Sequence, residues 1–511
     1  MEKNQVTIST KKLMSAIASL NGEAEAFEFD TNAKAVVLDI DTVPPLILQA
    51  TFSYLSKKGQ KIVAEKIGPQ PIAGKSAKNV SEFIKLVRAA AAGEKLTFEF
   101  KLGDRWIPSK LEAEIFPTML GAAGCASMNY AIGDCSLGPR VYVWPGDFVD
   151  EDGDEQTIDI EEFLEKNGIR QTTPERVAEH EKDVRRAEKM ESAHGTVVDS
   201  IAPVLVRTKF WYSESLEARA LGTPDVPSQM VVDPVLEREH SPWQRELENV
   251  RIPYVRCFSL IRKEYVFAHV RDVKEHEYDT GALERLVLPE HTKKTLTAVF
   301  EGAKDGKSFG DLFRGRHGGT VVLASGPPGT GKTLSAETYA EYVSRPLYVM
   351  EMGELGTNLE SVEVGLQRVF ARAERWNAVL LFDEADIFLA KRTDSDLERS
   401  AIVGVFLRLL DHYRGVFFLT TNRRESLDQA VKSRVTLALD YSALDANARE
   451  RVWTRMLDAA GIQADGSLTA LRGIELDGRQ IRNCVRLAAL IHGRGRVSTS
   501  DLISVTNNIA R

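Results

Sequence analysis

The chain has 511 residues, 43% of them hydrophobic and 27% charged, a composition that excludes a disordered or fibrous protein. This length exceeds what one core can organise and predicts roughly three or four domains. The net charge of −8 gives no broad positive field, which argues against a protein that wraps nucleic acid, and the four cysteines lack CxxC spacing, which is typical of free thiols.

The N-terminus does not resemble a signal peptide, because its apolar run is short and interrupted by serines. No stretch approaches the roughly 18 consecutive apolar residues of a transmembrane helix. We therefore expect a cytoplasmic protein that does not associate with membranes.

The first half of the chain mixes strand and helix patterns. Residues 34–40 and 96–102 alternate like half-buried strands, and residues 82–95 between them have helical spacing. Residues 139–148 predict a strand that enters a turn. The acidic loop at 148–155 could bind a cation, but a solvated loop is the stronger expectation.

The middle of the chain carries charge and proline signals. Residues 174–193 predict a helix with opposite charges three and four positions apart, which is typical of a solvated face. Residues 223–244 contain four prolines and no clear period, and they predict a linker or an extended arm. Residues 253–273 alternate as a hairpin around Arg262 and Lys263, and a helix is expected near 281–301.

A strict strand–loop–helix rhythm begins at residue 320. Such a rhythm predicts a parallel sheet with helices on both faces. The tail, residues 443–511, is expected to form a small helical domain. The five candidate strands are VVLAS, PLYVM, AVLLFD, VFFLTT and VTLALDY.

A glycine-rich loop follows VVLAS and opens a helix, in the pattern G-x4-G-K-T. Its backbone N–H groups and the helix N-terminus can surround a phosphate group. Lys332 would neutralise β- and γ-phosphate charge, and the Thr333 hydroxyl would hold Mg²⁺. The loop thus predicts ATP and Mg²⁺ as ligands, bound by Gly326, Pro327, Pro328, Gly329, Thr330, Gly331, Lys332, Thr333 and Leu334.

Three further polar positions follow buried strands of the same sheet. Asp383 would hold Mg²⁺, and Glu384 would orient and polarise the water that attacks the γ-phosphate. Asn422 ends the next strand and could hydrogen-bond that water or the phosphate. Arg434, behind a short helix, is a candidate for a charge that completes a neighbouring subunit's site.

Together these residues resemble the AAA+ ATPases. GPPGTGKT is similar to the Walker A loop, LLFDEAD to the Walker B strand, LTTN to sensor 1, LDQAVKSRV to the arginine-finger segment and GRQIRNCVRLAALIH to the sensor 2 helix of the lid. The resemblance covers about 320–511. A narrower likeness, beginning near residue 253, is to a loosely characterised bacterial and fungal group with one ATPase module.

The resemblance implies an α/β fold: a P-loop parallel sheet with a small helical lid, preceded by an α+β N-terminal region. The implied domains are an N-terminal recognition region at 1–250, which divides near 105–140 if it has two subdomains, a connector at 251–310, a nucleotide-binding subdomain at 311–442 and the lid at 443–511.

The resemblance also implies a role for Arg434 as an arginine finger that reaches across a subunit interface. The active form would then be a homo-oligomeric ring, most often a hexamer. Lys432 or the pair Arg423 and Arg424 could assist, although a solvated basic turn is the stronger expectation for them.

Arg482 falls at the sensor 2 position, with Arg479 as the alternative. Either arginine could instead form a buried salt bridge within the lid. Both alternatives are open at the level of sequence.

In the unfoldase branches of the family, an aromatic–aliphatic pair in the central pore contacts the substrate. Residues 353–363 place Asn358 and Leu359 there and Glu363 at the final acid, without an aromatic. We expect a ring that remodels a protein partner. The alternative is a nucleotide-dependent assembly switch or scaffold, for example in a defence or stress system. A nucleic-acid motor needs basic pore residues, and this segment has none.

Overall fold

The computed structural model describes most of the chain. The described residues are 5–18, 29–39, 42–43, 47–48, 51, 54–56, 59, 62–63, 71–91, 96–118, 121–132, 135–137, 139–210, 213–220, 227–234, 250–288, 290–304, 319–356, 358–386, 397–423, 428–493 and 495–509.

Strands account for much of the N-terminal half. In chain order they are β1 Gln5–Ser9, β2 Ala35–Asp39, β3 Ser76–Ala77, β4 Phe98–Leu102, β5 Arg105–Thr118, β6 Gly121–Ile132, β7 Cys135–Leu137, β8 Arg140–Val143, β9 Ile158–Asp159, β10 Ile169–Gln171, β11 Val197–Ser200, β12 Val204–Phe210, β13 Ser213–Arg219, β14 Ser228–Val232, β15 Val250–Arg251, β16 Tyr254–Ser259, β17 Tyr265–His269, β18 Val273–Glu275, β19 Thr320–Ser325, β20 Leu347–Met350, β21 Val379–Phe382, β22 Val416–Thr421, β23 Leu437–Asp440, β24 Gln463–Asp465 and β25 Arg496–Ser498.

Helices dominate the C-terminal half. In chain order they are α1 Thr10–Ala18, α2 Val80–Ala90, α3 Ile160–Lys166, α4 Pro174–Glu191, α5 Glu290–Lys304, α6 Lys332–Tyr342, α7 Met352–Leu355, α8 Leu359–Arg375, α9 Leu397–Leu410, α10 Gln429–Lys432, α11 Ala446–Ala460, α12 Thr469–Arg472, α13 Gly478–His492 and α14 Thr499–Ile509.

The first large sheet has the path β10-β4-β5-β6-β15, with β7 and β8 also pairing with β6. Helices α2 and α3 cover one of its faces and enclose an apolar core. Gly124 permits the close approach of α2, because a Cβ there would lie 2.6 Å from the side chain of Ile84. The strands and helix predicted between residues 34 and 148 are confirmed in their type and approximate position.

The second large sheet has the order β13-β12-β17-β16-β14-β11-β18. The boundary predicted at residue 250 falls within its sequence span, because β11–β14 and β16–β18 exchange backbone hydrogen bonds. Residues 223–244 are predicted to form a linker or an extended arm, and within them Ser228–Val232 is extended as a strand of this sheet. This strand lacks the alternating pattern because it is mostly buried on both faces.

The third sheet confirms the predicted parallel architecture. Its order is β20-β21-β22-β19-β23, and every neighbouring pair is parallel. The apolar strands are almost continuously buried, which explains why they read as runs and not as alternating patterns. Helix α8 and helix α9 pack together on one face, and α6 lies on the other.

The C-terminal tail is mainly helical, as predicted, and packs around Trp453 and Leu502. It also contains the short parallel pair β24 and β25, which the helical prediction missed. Helix α13 begins at Gly478 after Asp477, whose side chain accepts the backbone N–H of Gln480 at 2.8 Å. Among the described residues, no helix is long and apolar enough to cross a membrane.

A histidine joins the second sheet to α6. His276 contacts Asp199 through Nδ1 at 3.0 Å and Glu341 of α6 through Nε2 at 3.1 Å. Burial lowers the pKa of His276, but the hydrogen bonds and charges of the two carboxylates raise it further, so the net pKa is above its ordinary value.

This raised pKa predicts a pH-dependent stability. The contribution of protonated His276 is complete below the pKa of the unfolded chain, about 6.5, and is lost as the pH rises through the higher folded pKa. We expect the melting-temperature deficit of His276→Gln, relative to wild type, to be larger at about pH 6 than at about pH 9. A deficit of equal size at both pH values would contradict the role of the protonated ring.

Candidate nucleotide-binding site

The glycine-rich loop joins the end of β19 to the start of α6. Gly326 has a φ of 150°, and a Cβ there would lie 2.1 Å from the carbonyl oxygen of Tyr441. Gly331 has a φ of 99° and immediately precedes α6. Both backbone conformations favour glycine. The N-terminus of α6 therefore opens onto the loop, where its positive dipole end favours a phosphate group.

Lys332 ties this loop to the end of β22. Its ammonium group donates to the carbonyl oxygens of Gly326 and Pro327 at 2.9 and 2.7 Å, and to Oδ1 of Asn422 at 2.9 Å. These acceptors match the three donors of an ammonium group. Because phosphate oxygens would compete for the same donors, we expect nucleotide binding to redirect this side chain.

The electrostatic surroundings of Lys332 contain charges of both signs. Burial lowers the pKa of its ammonium group, and the nearby carboxylates raise it. The charge of Arg479 lowers it again, and the net pKa lies below the ordinary value. The carboxylates that act on Lys332 are Asp383, Asp386 and Glu384.

Hydroxyl groups from two elements converge on Asp383 at the end of β21. Thr333 Oγ1 donates to Asp383 Oδ1 at 2.9 Å, and Thr420 Oγ1 donates to the same oxygen at 2.5 Å. A hydroxyl and a carboxylate are the hard oxygen donors that Mg²⁺ prefers, so this pair fits the ion. The predicted metal ligands, Thr333 and Asp383, are thus brought together.

Thr420 also positions the backbone of Glu384. Its Oγ1 atom accepts the Glu384 N–H at 2.8 Å while donating to Asp383. Glu384 has a φ of 52°, a left-handed conformation that non-glycine residues seldom adopt. The hydroxyl therefore holds adjacent acids in different orientations. Thr420 carries no site signal in the sequence, because a threonine in a buried strand does not reveal its hydrogen bonds.

The lid touches the loop directly. The backbone N–H of Gly478 donates to the carbonyl oxygen of Gly329 at 2.9 Å. A Cβ at Gly329 would lie 2.3 Å from Cγ of Asp477, so the loop and the start of α13 approach closely. Sequence reasoning missed this contact, although the D-G pair before the helix carries the capping signal.

A cavity of about 310 Å³ lies between the sheet edge, the loop and the lid. The side chains of Leu286, Leu288, Leu444 and Met456 supply apolar wall, which suits a nucleotide base. Gly326, Pro327 and Arg434 are not among its lining residues. Of the predicted site residues, the cavity brings together Pro328, Gly329, Thr330, Gly331, Lys332, Thr333, Leu334, Asp383, Glu384, Asn422 and Arg482, and also the alternative Arg479.

Arg434 is paired within its own chain. Its Nε and Nη2 atoms donate to the two carboxylate oxygens of Asp411 at 2.7 and 2.8 Å. Hydrogen bonding to Asp411 raises the pKa of the guanidinium group. Of the residues considered as assistants, Arg424 lies outside the described residues.

The segment 353–363 overlaps α7 and the first turns of α8, and its residue 357 lies outside the described residues. Asn358 caps α8, since its Oδ1 atom accepts the Ser361 N–H at 2.8 Å. Leu359 is 37% exposed, and Glu363 accepts a hydrogen bond from Arg408 at 2.5 Å. The side chain of Asn358 is therefore committed to the helix cap, which weakens its candidacy for gripping a substrate.

The sequence model of the family "ATPase family associated with various cellular activities (AAA)" matches residues 322–441. This span runs from β19 to β23 and contains the loop, both acids, Asn422 and Arg434. The chain contains an AAA ATPase domain. The predicted fold class, with its parallel P-loop sheet, is confirmed.

Several animal proteins are similar to the chain at low identity. The "ATPase family AAA domain-containing protein 3A homolog" of Drosophila melanogaster is 26% identical over 230 residues, covering 44% of this chain and 37% of the fly protein. Human "ATPase family AAA domain-containing protein 3B" is 28% identical over 220 residues, covering 42% of this chain and 33% of the human protein. The matches thus span about a third of these relatives.

Among solved structures, the AAA domain of FIGL-1 is similar to part of this chain. The match covers 45% of this chain and 85% of the FIGL-1 chain, with 20% identity and a TM-score of 0.37. Because the sequence relatives are animal proteins, the narrower likeness to a bacterial and fungal group receives no support from them.

The geometry predicts a specific effect of Thr420→Val, which keeps the side-chain shape and removes the hydroxyl. Asp383 would lose one orienting donor, and the Glu384 N–H would lose its acceptor. We expect ATP turnover to fall about 10- to 100-fold, a typical cost of losing a group that orients a metal ligand. The neighbouring variant Thr421→Val, whose lost hydroxyl bonds Asp386 instead, serves as the control. Equal turnover in the two variants would contradict the role of Thr420.

Proposed function

We propose that the chain is a Mg²⁺-dependent ATPase that assembles into a homo-oligomeric ring and remodels a protein partner. AAA family membership of residues 322–441 supports ATP-driven activity. The cavity that gathers the loop, the acids and the lid arginines supports ATP as the nucleotide. A cytoplasmic location is part of this proposal.

Each side chain has a separate task in the proposed reaction. Lys332 binds β- and γ-phosphate oxygens, and Thr333 with Asp383 holds Mg²⁺, which when bound neutralises phosphate charge. Glu384 orients the attacking water and accepts its proton. Asn422 lies within hydrogen-bond distance of Lys332 and orients the water or the γ-phosphate.

The lid arginines would report the γ-phosphate to the rest of the domain. Arg482 and Arg479 both face the cavity, so either can act as the sensor. Gly478 at the start of the same helix donates a hydrogen bond to the loop. A displacement of the loop when the γ-phosphate is lost would therefore also displace α13.

The position of Arg434 supports the proposal that the chain assembles into a ring. Arg434 lies outside the cavity of its own chain, and Asp411 and the Ala430 carbonyl oxygen together take up three of its five N–H donors. In a ring, this guanidinium group would approach the γ-phosphate of the neighbouring subunit and stabilise the charge that develops there. A hexamer is the ring size proposed from the family resemblance.

The observation that supports remodelling is the packing of the second sheet against the end of α8, the helix whose first turns belong to the segment 353–363. Asp233, fully buried, accepts hydrogen bonds from Arg375 at 2.6 Å and from the Trp376 indole at 3.1 Å. Lys263 at the hairpin tip donates to the Val349 carbonyl oxygen at 2.5 Å. A movement of α8 during ATP turnover would therefore pull on the N-terminal region.

Glu384→Gln tests this function, because it should bind ATP without hydrolysing it. We expect the variant with ATP to form a ring-sized particle and to retain a protein partner from its own cell extract. Particle mass is measured by light scattering, and the retained proteins are identified by mass spectrometry. Glu165→Gln, an exposed position on α3, is the matched control.

A Glu384→Gln protein that binds ATP but stays monomeric and retains nothing beyond the control would refute the remodelling ring. ATP binding itself is checked in the same sample, so that a failure to bind nucleotide is recognised separately.

A second candidate function is a nucleotide-dependent assembly switch. The helix-capping role of Asn358 and the absence of an aromatic side chain from 353–363 favour it, because little apolar area is offered to a threaded polypeptide. In this reading, the nucleotide sets assembly, and the N-terminal region or a bound partner is the effector.

Leu359→Ala separates the two candidates. If the ring grips its partner in the pore, we expect partner-stimulated ATP turnover to fall about tenfold while basal turnover is unchanged. Val364→Ala removes a similarly exposed apolar side chain from the same helix and is the control. Unchanged stimulation in Leu359→Ala would favour the switch over threading.

A further inference from the structure

The face of the first sheet opposite α2 and α3 carries an ordered set of side chains. Adjacent strands β5, β6 and β8 place residues in cross-strand rows on this face. One row contains Glu114, Cys125 and Tyr142, and the next contains Glu112, Ser127 and Arg140. In these two rows the middle strand, β6, supplies the small side chains of Cys125 and Ser127. The larger side chains of β5 and β8 therefore extend beyond it on either side.

Three aromatic rings meet at one end of this face. Tyr142 lies in β8 and Trp144 directly follows this strand, and their rings lie 6.1 Å apart at an angle of 25°. The Phe116 ring stands edge-on to both, with its centroid 6.2 Å from each. We call Phe116, Tyr142 and Trp144 the aromatic triad.

Two rings of the aromatic triad are exposed, and that of Phe116 is partly buried. Tyr142 is 43% exposed and Trp144 is 44% exposed, while the apolar core of this sheet lies on its other face. Aromatic side chains in this state leave ring faces open to a ligand, and each ring face carries a negative quadrupole.

Carboxylates lie near the aromatic triad in strand register and in sequence. Glu112 and Glu114 are exposed on β5, Glu114 in the row of Tyr142, and a loop of exposed acids begins at Asp150, six residues after Trp144. The loop is anchored to Trp144, whose backbone N–H donates to Asp147 at 2.7 Å. Two cations share this face: Arg140 lies in the row of Glu112, next to the row of Tyr142, and Lys110 lies two positions before Glu112 on β5. The acids of the loop are Asp150, Glu151, Asp152, Asp154 and Glu155.

The acidic loop does not have the features of a metal site. Asp150 Oδ1 already accepts the backbone N–H groups of Asp152 and Asp154 at 3.1 and 2.8 Å. Among the described residues, no group of three or more potential metal-binding side chains is placed to hold an ion. The acids are therefore available as a negative field around the rings.

We propose that the aromatic triad and its acidic surroundings form a docking surface for a lysine- and arginine-rich segment of a protein partner. Cationic side chains would lie over the ring faces, and the carboxylates would attract them to the surface. A nucleic acid would also find rings on which to stack, but its phosphates would meet the same carboxylates and be repelled. This inference rests on the proposed function, for which it names the chemistry of the partner.

The test is fluorescence anisotropy with the full chain in the absence of nucleotide. The probe is a fluorescein-labelled synthetic peptide in which lysine and arginine alternate with serine and glycine. We expect the peptide to bind and its affinity to fall as salt is added. We also expect it to bind more tightly than a matched peptide with glutamate and aspartate at the same positions.

Two variants and two controls locate the binding. Trp144→Ala removes a ring and Glu114→Lys reverses a surrounding charge, and we expect each to weaken peptide binding about tenfold. Ile201→Ala removes an apolar side chain that is 66% exposed elsewhere, and Glu165→Lys reverses a charge on the opposite face of the sheet. Both controls should bind the peptide as wild type does.

Three outcomes would overturn the proposal. The first is that Trp144→Ala and wild type bind the peptide equally. The second is that the protein prefers a single-stranded oligonucleotide and that Trp144→Ala abolishes this binding. The third is that Trp144→Ala lowers the particle mass of the free protein, which would make this face a contact between copies. Because nucleotide is absent, peptide binding can succeed when Glu384→Gln traps nothing, and it can fail when the trap succeeds.

Discussion

The hydroxyl of Thr420 is the contact on which the geometry of the candidate nucleotide-binding edge depends. It donates to Asp383 and accepts the N–H of Glu384, so one side chain of β22 fixes both acids that end β21. The parallel pairing of β21 with β22 and of β22 with β19 brings these groups beside Thr333. Because the carboxyl ends of parallel strands meet at one edge, distant parts of the chain form one site there.

A second constraint connects this edge to the N-terminal half. The fully buried carboxylate of Asp233 is held by Arg375 and Trp376 at the end of α8 and by the Tyr265 hydroxyl at 2.9 Å. Removing one partner of a buried charged group costs on the order of 3 kcal/mol or more. The contact between Asp233 and the end of α8 therefore resists separation. In the proposed function, this contact would couple nucleotide-driven motion at the sheet edge to partner binding in the N-terminal half.

The sequence was sufficient for the parallel sheet of the ATPase module and insufficient for the sheet order of the region before it. Site residues could be proposed at G-x4-G-K-T, Asp383 and Asn422 because each has a fixed position relative to a buried strand. Thr420 could not be proposed because strand pattern does not specify hydrogen-bond partners, and the strand at Ser228–Val232 shows no alternation because it is mostly buried on both faces. The aromatic triad unites residues from β5, from β8 and from the position that follows β8, and only the cross-strand register brings them together.

We propose that this sheet edge binds Mg²⁺ and ATP and hydrolyses the nucleotide. The decisive measurement is steady-state ATP turnover by the full chain, with Mg²⁺ and with excess EDTA, for Asp383→Asn beside wild type. We expect wild-type turnover that requires Mg²⁺, and a loss of at least about 100-fold in Asp383→Asn with its melting temperature retained. Turnover that is indifferent to EDTA, or equal in the two proteins, would show that hydrolysis does not depend on this edge.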